Sequence, residues 1–169
     1  MVTQERNKEL IRARNIVFLL LKFRQRSEKE VRQRLKRKSI SDSIIENVVD
    51  YFKELTLLDD RQFARSWIRA RLLKPFGVKR IRFELKQKGI PDNIINEELT
   101  EASHSEGENE AVTALAKKCL SKYKNLEPIK AKRRTYEYLL RRGFTSEQIQ
   151  KTLQKISKND TSNDTYDSE

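Results

Sequence analysis

KQKGIPDNIINEEL, residues 86–99, has an altered copy on either side: KRKSISDSIIENVV at 36–49 and LRRGFTSEQIQKTL at 140–153. Aligned, Ser39, Gly89 and Gly143 share one position, Ile40, Ile90 and Phe144 the next, and Ile45, Ile95 and Ile149 a third. The spacings are 50 and 54 residues, a period that marks a tandem array of one supersecondary unit. The shared glycine has a physical reason. The residue that follows a helix often needs a positive φ, and glycine adopts it without a Cβ clash. Ser39 breaks the pattern and should cost about 1 kcal/mol if its backbone is left-handed.

Around these turns the apolar period is helical. Leu10, Arg14, Val17 and Leu21 fall on one stripe, with Ile11 and Phe18 beside it. Ser27 is an N-cap with Glu30 completing a capping box, and Val31 and Leu35 face inward. Ser41 caps a third helix whose stripe is Ile44, Ile45, Val48, Val49, Phe52 and Leu55. Asp59 or Asp60 opens a helix carrying Phe63, Ala64, Trp67 and Ile68, and Lys74-Pro75-Phe76-Gly77 breaks it. Val78, Ile81 and Leu85 line the next helix, and Ile94, Ile95 and Leu99 the one after Gly89. In the last third, Val112, Leu115, Ala116, Cys119 and Leu120 face inward on a helix from 110 to 123, followed by helices at 129–142 and 146–156. No alternating β-branched stretch calls for strands. The expected fold is all-α: three-helix repeats at 1–56, 57–101 and 110–156, a linker at 102–109, and a disordered polar tail at 157–169.

Composition narrows the chemistry. The 169 residues carry 37 Lys and Arg against 25 Asp and Glu, a net charge of +12, and only 36% are hydrophobic. No apolar run reaches the ~20 residues of a membrane span, and the N-terminus has no signal-peptide pattern. The single Cys119 excludes a disulfide framework and a multi-Cys zinc site. His104 is the only histidine, and none of the four glycines builds a phosphate-binding loop. The chain reads as a soluble, cytoplasmic binder of something negatively charged, without a cofactor and not an enzyme.

LLDDRQFARSWIRARLLKPFGVKRIRFELKQKGI at 57–90 resembles the signature of the RecX family, regulators of the RecA recombinase. The matching features are Asp59-Asp60, Phe63-Ala64, Arg71, Gly77 with Arg80-Ile81, and Glu84-Leu85 with Lys88-Gly89. LLKFRQRSEKEV at 20–31 and YLLRRGFTSEQI at 138–149 are similar to the family's first and last motifs, so the resemblance spans about residues 10–156. Ser39 in place of glycine and a short N-terminal extension depart from it. The resemblance implies three tandem three-helix repeats in an elongated, curved arrangement. It also implies binding of the RecA–single-stranded DNA filament in its helical groove, with inhibition of ATP hydrolysis, strand exchange and co-protease activity. The partners are then the RecA filament, single-stranded DNA and, weakly, double-stranded DNA, with no membrane and a monomeric chain.

The residues themselves supply a candidate surface. Lys79, Arg82 and Lys86 stand opposite the inward set of their helix, with Phe83 beside them. The 50-residue shift puts Lys29, Arg32 and Lys36 at the same positions of the first repeat, whereas the third has Arg133, Tyr136 and Leu140. Residues 1–100 hold 24 basic and 14 acidic side chains, while residues 101–169 hold 13 and 11. Arg61, Arg65 and Arg69 form a second stripe, expected to pair in part with acids such as Asp60. Arg71 is expected to pair with Asp59 or Asp60, Trp67 and Cys119 to be core, and His104 to be solvated. Phe76 and Phe83 either stack on bases or pack between repeats, the second being favoured. A helix-turn-helix DNA-binding protein is the competing function. The helices after the turns count against it: Asp42, Glu46, Asp50, Glu54 and Asp92, Glu97, Glu98 would be repelled by phosphate.

Overall fold

The computed structural model describes residues 2–103 and 107–163. The described residues form helices α1 (Val2–Phe23), α2 (Glu28–Lys36), α3 (Asp42–Glu54), α4 (Asp60–Leu72), α5 (Val78–Gln87), α6 (Asp92–Ser103), α7 (Gly107–Lys122), α8 (Pro128–Arg141) and α9 (Ser146–Asn163), and no strand. The chain divides into two compact units, residues 1–67 with 85–98, and 68–84 with 99–169.

The first unit is organised by α1, α2 and α3, which pack on one another. Ala13, Val17, Val31, Leu35, Ile45 and Val48 are buried among them. Each such aliphatic side chain contributes on the order of 1.5–3 kcal/mol when fully buried. The α1 stripe is rotated from its expected position. Ala13 takes the buried line, and Ile11 and Phe18 are 60% and 61% exposed. Arg14 leaves the apolar stripe by laying its guanidinium over the Tyr51 ring, 4.0 Å from its centre. Leu55, past the end of α3, is also exposed.

The Ser27 box forms as its spacing demands. Ser27 Oγ accepts the Glu30 N–H at 3.3 Å, and the Glu30 carboxylate accepts the Ser27 N–H at 3.4 Å. Ser41 behaves differently. It occupies the N-cap position of α3 without a side-chain cap. Its N–H and hydroxyl instead donate to the Glu9 carboxylate on α1, at 2.7 and 3.2 Å. A second box, absent from the sequence reading, opens α9. Thr145 Oγ1 accepts the Gln148 N–H at 3.2 Å, and Gln148 Oε1 accepts the Thr145 N–H at 3.0 Å.

In the second unit α7, α8 and α9 pack mutually around Val112, Ala116, Leu139, Phe144 and Ile149. Leu115 and Leu120 are partly buried against that core. Helix α6 runs on to Ser103 and α7 begins at Gly107, so both enter the stretch expected as linker, and His104 lies outside the described residues. Helix α9 continues to Asn163, into the stretch expected as a disordered tail. Extending an existing helix adds one hydrogen bond per residue fixed, so a polar sequence can continue it where it could not nucleate one.

The three turns that define the repeat close identically. Ser39, Gly89 and Gly143 have φ of 55°, 82° and 89°. The N–H of the next residue reaches back to the last helical turn: Ile40 to Leu35 O at 3.2 Å, Ile90 to Leu85 O at 3.1 Å, Phe144 to Leu139 O at 3.3 Å. This is the Schellman closure, with both apolar partners buried each time.

The glycines also make room. A Cβ on Gly89 would lie 2.7 Å from Lys29 Cβ, and one on Gly143 would lie 2.5 Å from the Arg80 nitrogen. Gly77 needs no positive φ, but a Cβ there would lie 2.3 Å from the Gly143 carbonyl. Its N–H donates to Arg142 O at 2.9 Å, and the Lys79 N–H to Gly143 O at 3.1 Å. Ser39 is exposed and carries only the φ cost. Ser39→Gly should therefore be neutral or stabilising by up to about 1 kcal/mol. Gly143→Ser should destabilise by about 3 kcal/mol or more, since it adds an overpacked contact to the strained φ. Urea denaturation followed by circular dichroism measures both.

Candidate functional site

The basic stripe of α2 is largely neutralised. Arg32 Nε donates to Glu28 at 2.8 Å, and its terminal nitrogens donate to both Glu46 oxygens at 2.5 and 2.9 Å. The Glu46 hydrogen bond leads the causes that hold the Arg32 guanidinium above its ordinary pKa. Lys36 pairs with Asp42 at 3.2 Å, and in the repeated position Lys86 of α5 pairs with Asp92 at 2.9 Å. Asp42 and Glu46 of α3 and Asp92 of α6 are thus partners of the stripe. In the second repeat the positions of Glu28 and Glu46 are taken by Val78 and Asn96, so no carboxylate stands at either place. Lys29 lays its stem on Gly89, Lys79 is exposed and Arg82 is half-buried. Phe83 is 59% exposed, against the expectation that it packs between repeats. Phe76 is half-buried among guanidiniums, with Arg80 at 5.0 Å and Arg142 at 5.2 Å from its ring centre.

Arg61 and Arg65 converge on one buried carboxylate. Arg65 grips Glu98 with Nε at 2.8 Å and a terminal nitrogen at 3.1 Å, and Arg61 reaches Glu98 at 3.2 Å and Glu97 at 2.5 Å. The Glu98 side chain is 1% exposed and the arginines nearly half exposed, so the carboxylate is desolvated and depends on both. Asp60 is not their partner. Its carboxylate accepts the Glu28 N–H at 2.8 Å, and burial pushes its pKa up. Asp59 accepts the Arg61 and Gln62 N–H groups at the head of α4. Arg71 pairs with Glu84 at 2.6 Å instead of with either aspartate. Arg69 is exposed. Trp67 is half-buried, stacked on Phe63 with Lys88 Nζ 5.1 Å from its ring centre.

Glu30 ties the head of α2 to the turn after α5. It receives Arg24 at 3.0 and 3.1 Å and Lys88 at 2.5 Å, while Ser27 Oγ donates to Lys88 O at 2.7 Å. Among the described residues no group of three metal-ligating side chains is assembled. The Cys119 thiol is buried, which pushes its pKa up and leaves it a small hydrophobe rather than a nucleophile. No described helix is long and apolar enough to cross a membrane.

The repeats match three family models in chain order: the first three-helix domain of RecX at residues 13–52, the second at 59–99 and the third at 106–153. A regulatory protein RecX of Prosthecochloris aestuarii is 36% identical over 140 residues, covering 82% of this chain and 89% of the relative. The chain belongs to the RecX family. The regulatory protein RecX of Clostridium acetobutylicum is 31% identical over 160 residues, 92% of this chain and 72% of that one. Among solved structures, RecX from Lactobacillus salivarius superposes with a TM-score of 0.81 at 24% identity, covering 89% of this chain and 98% of that chain. A second RecX structure gives 0.80 at 23%, with 88% and 73% covered. Both share the all-α RecX fold seen here, and the chain takes the regulatory character of its family.

The Glu30 knot has a pH signature. Burial raises the carboxyl, but the hydrogen bonds and charges of Arg24 and Lys88 outweigh it and hold the group at about 2, below its ordinary 4.5. A depressed folded-state pKa stabilises above the unfolded value and loses that stabilisation as pH falls through the folded one. Stability should therefore drop between about pH 4.5 and 2, with Glu30 responsible for about 1–2 kcal/mol after allowance for solvent screening. Glu30→Gln should flatten that part of the pH profile of the urea midpoint.

Proposed function

We propose that this RecX protein binds the RecA filament assembled on single-stranded DNA and restrains it, acting as a cytoplasmic monomer that catalyses no reaction. The observation that carries this reading is the ordered set of three RecX three-helix domains over residues 13–153. The mechanism is geometric. A row of basic repeats lies in the filament groove and bridges successive RecA subunits. It hinders the motions coupled to ATP hydrolysis and obstructs the second duplex in strand exchange and the substrate in co-protease action.

The surface proposed for this contact is the outer stripe of α5, Lys79, Arg82, Phe83 and Lys86, with Lys29, Arg32 and Lys36 as its counterpart on α2, and Arg61, Arg65 and Arg69 on α4. Three of the ion pairs these side chains make within the fold, Lys36 with Asp42, Arg61 with Glu97 and Lys86 with Asp92, are exposed on both sides. Exposed pairs are worth about 0–1 kcal/mol, so they can be exchanged for pairs with acidic groups on a partner.

Titrating the protein into RecA on single-stranded DNA should lower ATP hydrolysis well below one molecule per RecA subunit. An unchanged rate at equimolar protein overturns the reading. The double reversal Arg82→Glu with Lys86→Glu should raise the half-inhibitory concentration about tenfold, equivalent to ~1.4 kcal/mol, with helicity retained by circular dichroism. Arg133→Glu, whose partner is Glu137 on the same helix, should matter less. On DNA without RecA, binding should be weak, indifferent to sequence and steeply salt-dependent through counterion release. Tight, sequence-selective duplex binding that persists in ~0.2 M salt would point to a helix-turn-helix function.

A further inference from the structure

Arg34 of α2 and Arg37, the residue that caps its C-terminus, face an open cleft of about 400 Å³. Leu20 of α1 and Arg26, Glu30, Gln33, Arg34 and Arg37 complete its lining. This is not the flank that bears Lys29, Arg32 and Lys36. Glu30, the one carboxylate in the lining, is already held by Arg24 and Lys88. Among the described residues, Arg26, Arg34 and Arg37 have no carboxylate within ion-pairing distance, whereas Arg32 and Lys36 on the other flank are both matched. The Arg26 Nε is buried without a hydrogen-bond acceptor, an uncommon state for a native donor. Burial, followed by the like charge of Arg24, disfavours its guanidinium; Glu30 opposes that, and Arg34 adds to it. Three guanidiniums thus converge on a cleft that supplies them with too little negative charge.

We infer that the α1–α2 cleft of Arg26, Arg34 and Arg37 is a phosphate-group site. The planar fork of arginine suits bidentate contact with phosphate oxygens, and Gln33 adds a neutral donor. The ligand chemistry is a phosphodiester of a nucleic-acid backbone or a free phosphate. The site stands apart from the proposed RecA contact and can be tested without RecA.

The test uses the full chain. A fluorescein-labelled oligothymidylate is titrated by anisotropy across a salt series, and inorganic phosphate is titrated while the arginine Nε–H resonances are followed by NMR. Arg34→Gln with Arg37→Gln should weaken oligonucleotide binding about tenfold at low salt and reduce the salt slope by about 0.7, the single-strand value for one lost phosphate contact. A charge-matched control, Arg133→Gln with Lys151→Gln, removes two cations paired on their own helices. It should leave the slope unchanged. Loss of the oligonucleotide effect in the cleft variant identifies the backbone phosphodiester. A phosphate-dependent shift of the Arg26 resonance that the cleft variant abolishes identifies a free-phosphate site. The inference is overturned if neither probe responds to the cleft variant while circular dichroism shows it folded, or if the control weakens binding as much as the cleft variant.

Discussion

The backbone of one repeat approaches the turn of the next more closely than any side chain would allow, and much of the sequence pattern follows from that approach. In the second unit Gly77 and Lys79 donate main-chain hydrogen bonds to the carbonyls of Arg142 and Gly143, and neither glycine can carry a Cβ there without a clash against backbone. In the first unit the same positions, 50 and 54 residues earlier, are Ser27, Lys29, Lys88 and Gly89. There Ser27 donates its hydroxyl to Lys88 O, and the Lys29 stem covers Gly89. One joint is made through main chain and the other through a short side chain, but both seat the head of a second helix on the turn that ends the next one. This also explains why Ser39 is tolerated. Its side chain is exposed, so the first turn needs only the positive φ, a cost of about 1 kcal/mol, and no open space.

Those joints were half legible in the sequence. The shared Gly position, its period and its left-handed conformation all follow from helix-ending chemistry, and so do the Ser27 box and the inward sets around Ile45, Ile95 and Ile149. The second demand on Gly89 and Gly143 does not, because it comes from residues at least 60 positions away. The same limit accounts for the misassigned arginines. Asp59 and Asp60 are near Arg71 in sequence, yet Glu84 takes it, because two helices meeting across a turn bring positions 13 apart into contact. Ile11, Phe18 and Leu55 sit on or beside apolar stripes and are exposed, since a stripe drawn from spacing is wider than the line a neighbouring helix covers.

The electrostatic pattern was legible in total and misleading in detail. A net +12 concentrated in the first 100 residues says that a negatively charged partner is attracted. It does not say which cations do the attracting, because that depends on pairing between helices. Arg32 with Glu46, Lys36 with Asp42 and Lys86 with Asp92 join residues on different helices, so three of the acids that make α3 and α6 look repulsive to phosphate quench cations of the stripe beside them.

Quenching changes what such a surface does. A paired stripe has a weak field beyond a Debye length of ~8 Å at physiological salt, so it contributes little to long-range capture. It can still contribute in contact, where an exposed pair worth less than about 1 kcal/mol is exchanged for one with a partner's carboxylate. Unmatched guanidiniums behave oppositely: they attract at a distance and bind phosphate on arrival. The two sides of the segment 26–37, α2 with the residues at its ends, separate these roles. Glu30 is what keeps them apart. Held by Arg24 and Lys88, it secures the repeat joint while leaving Arg26, Arg34 and Arg37 without a carboxylate of their own.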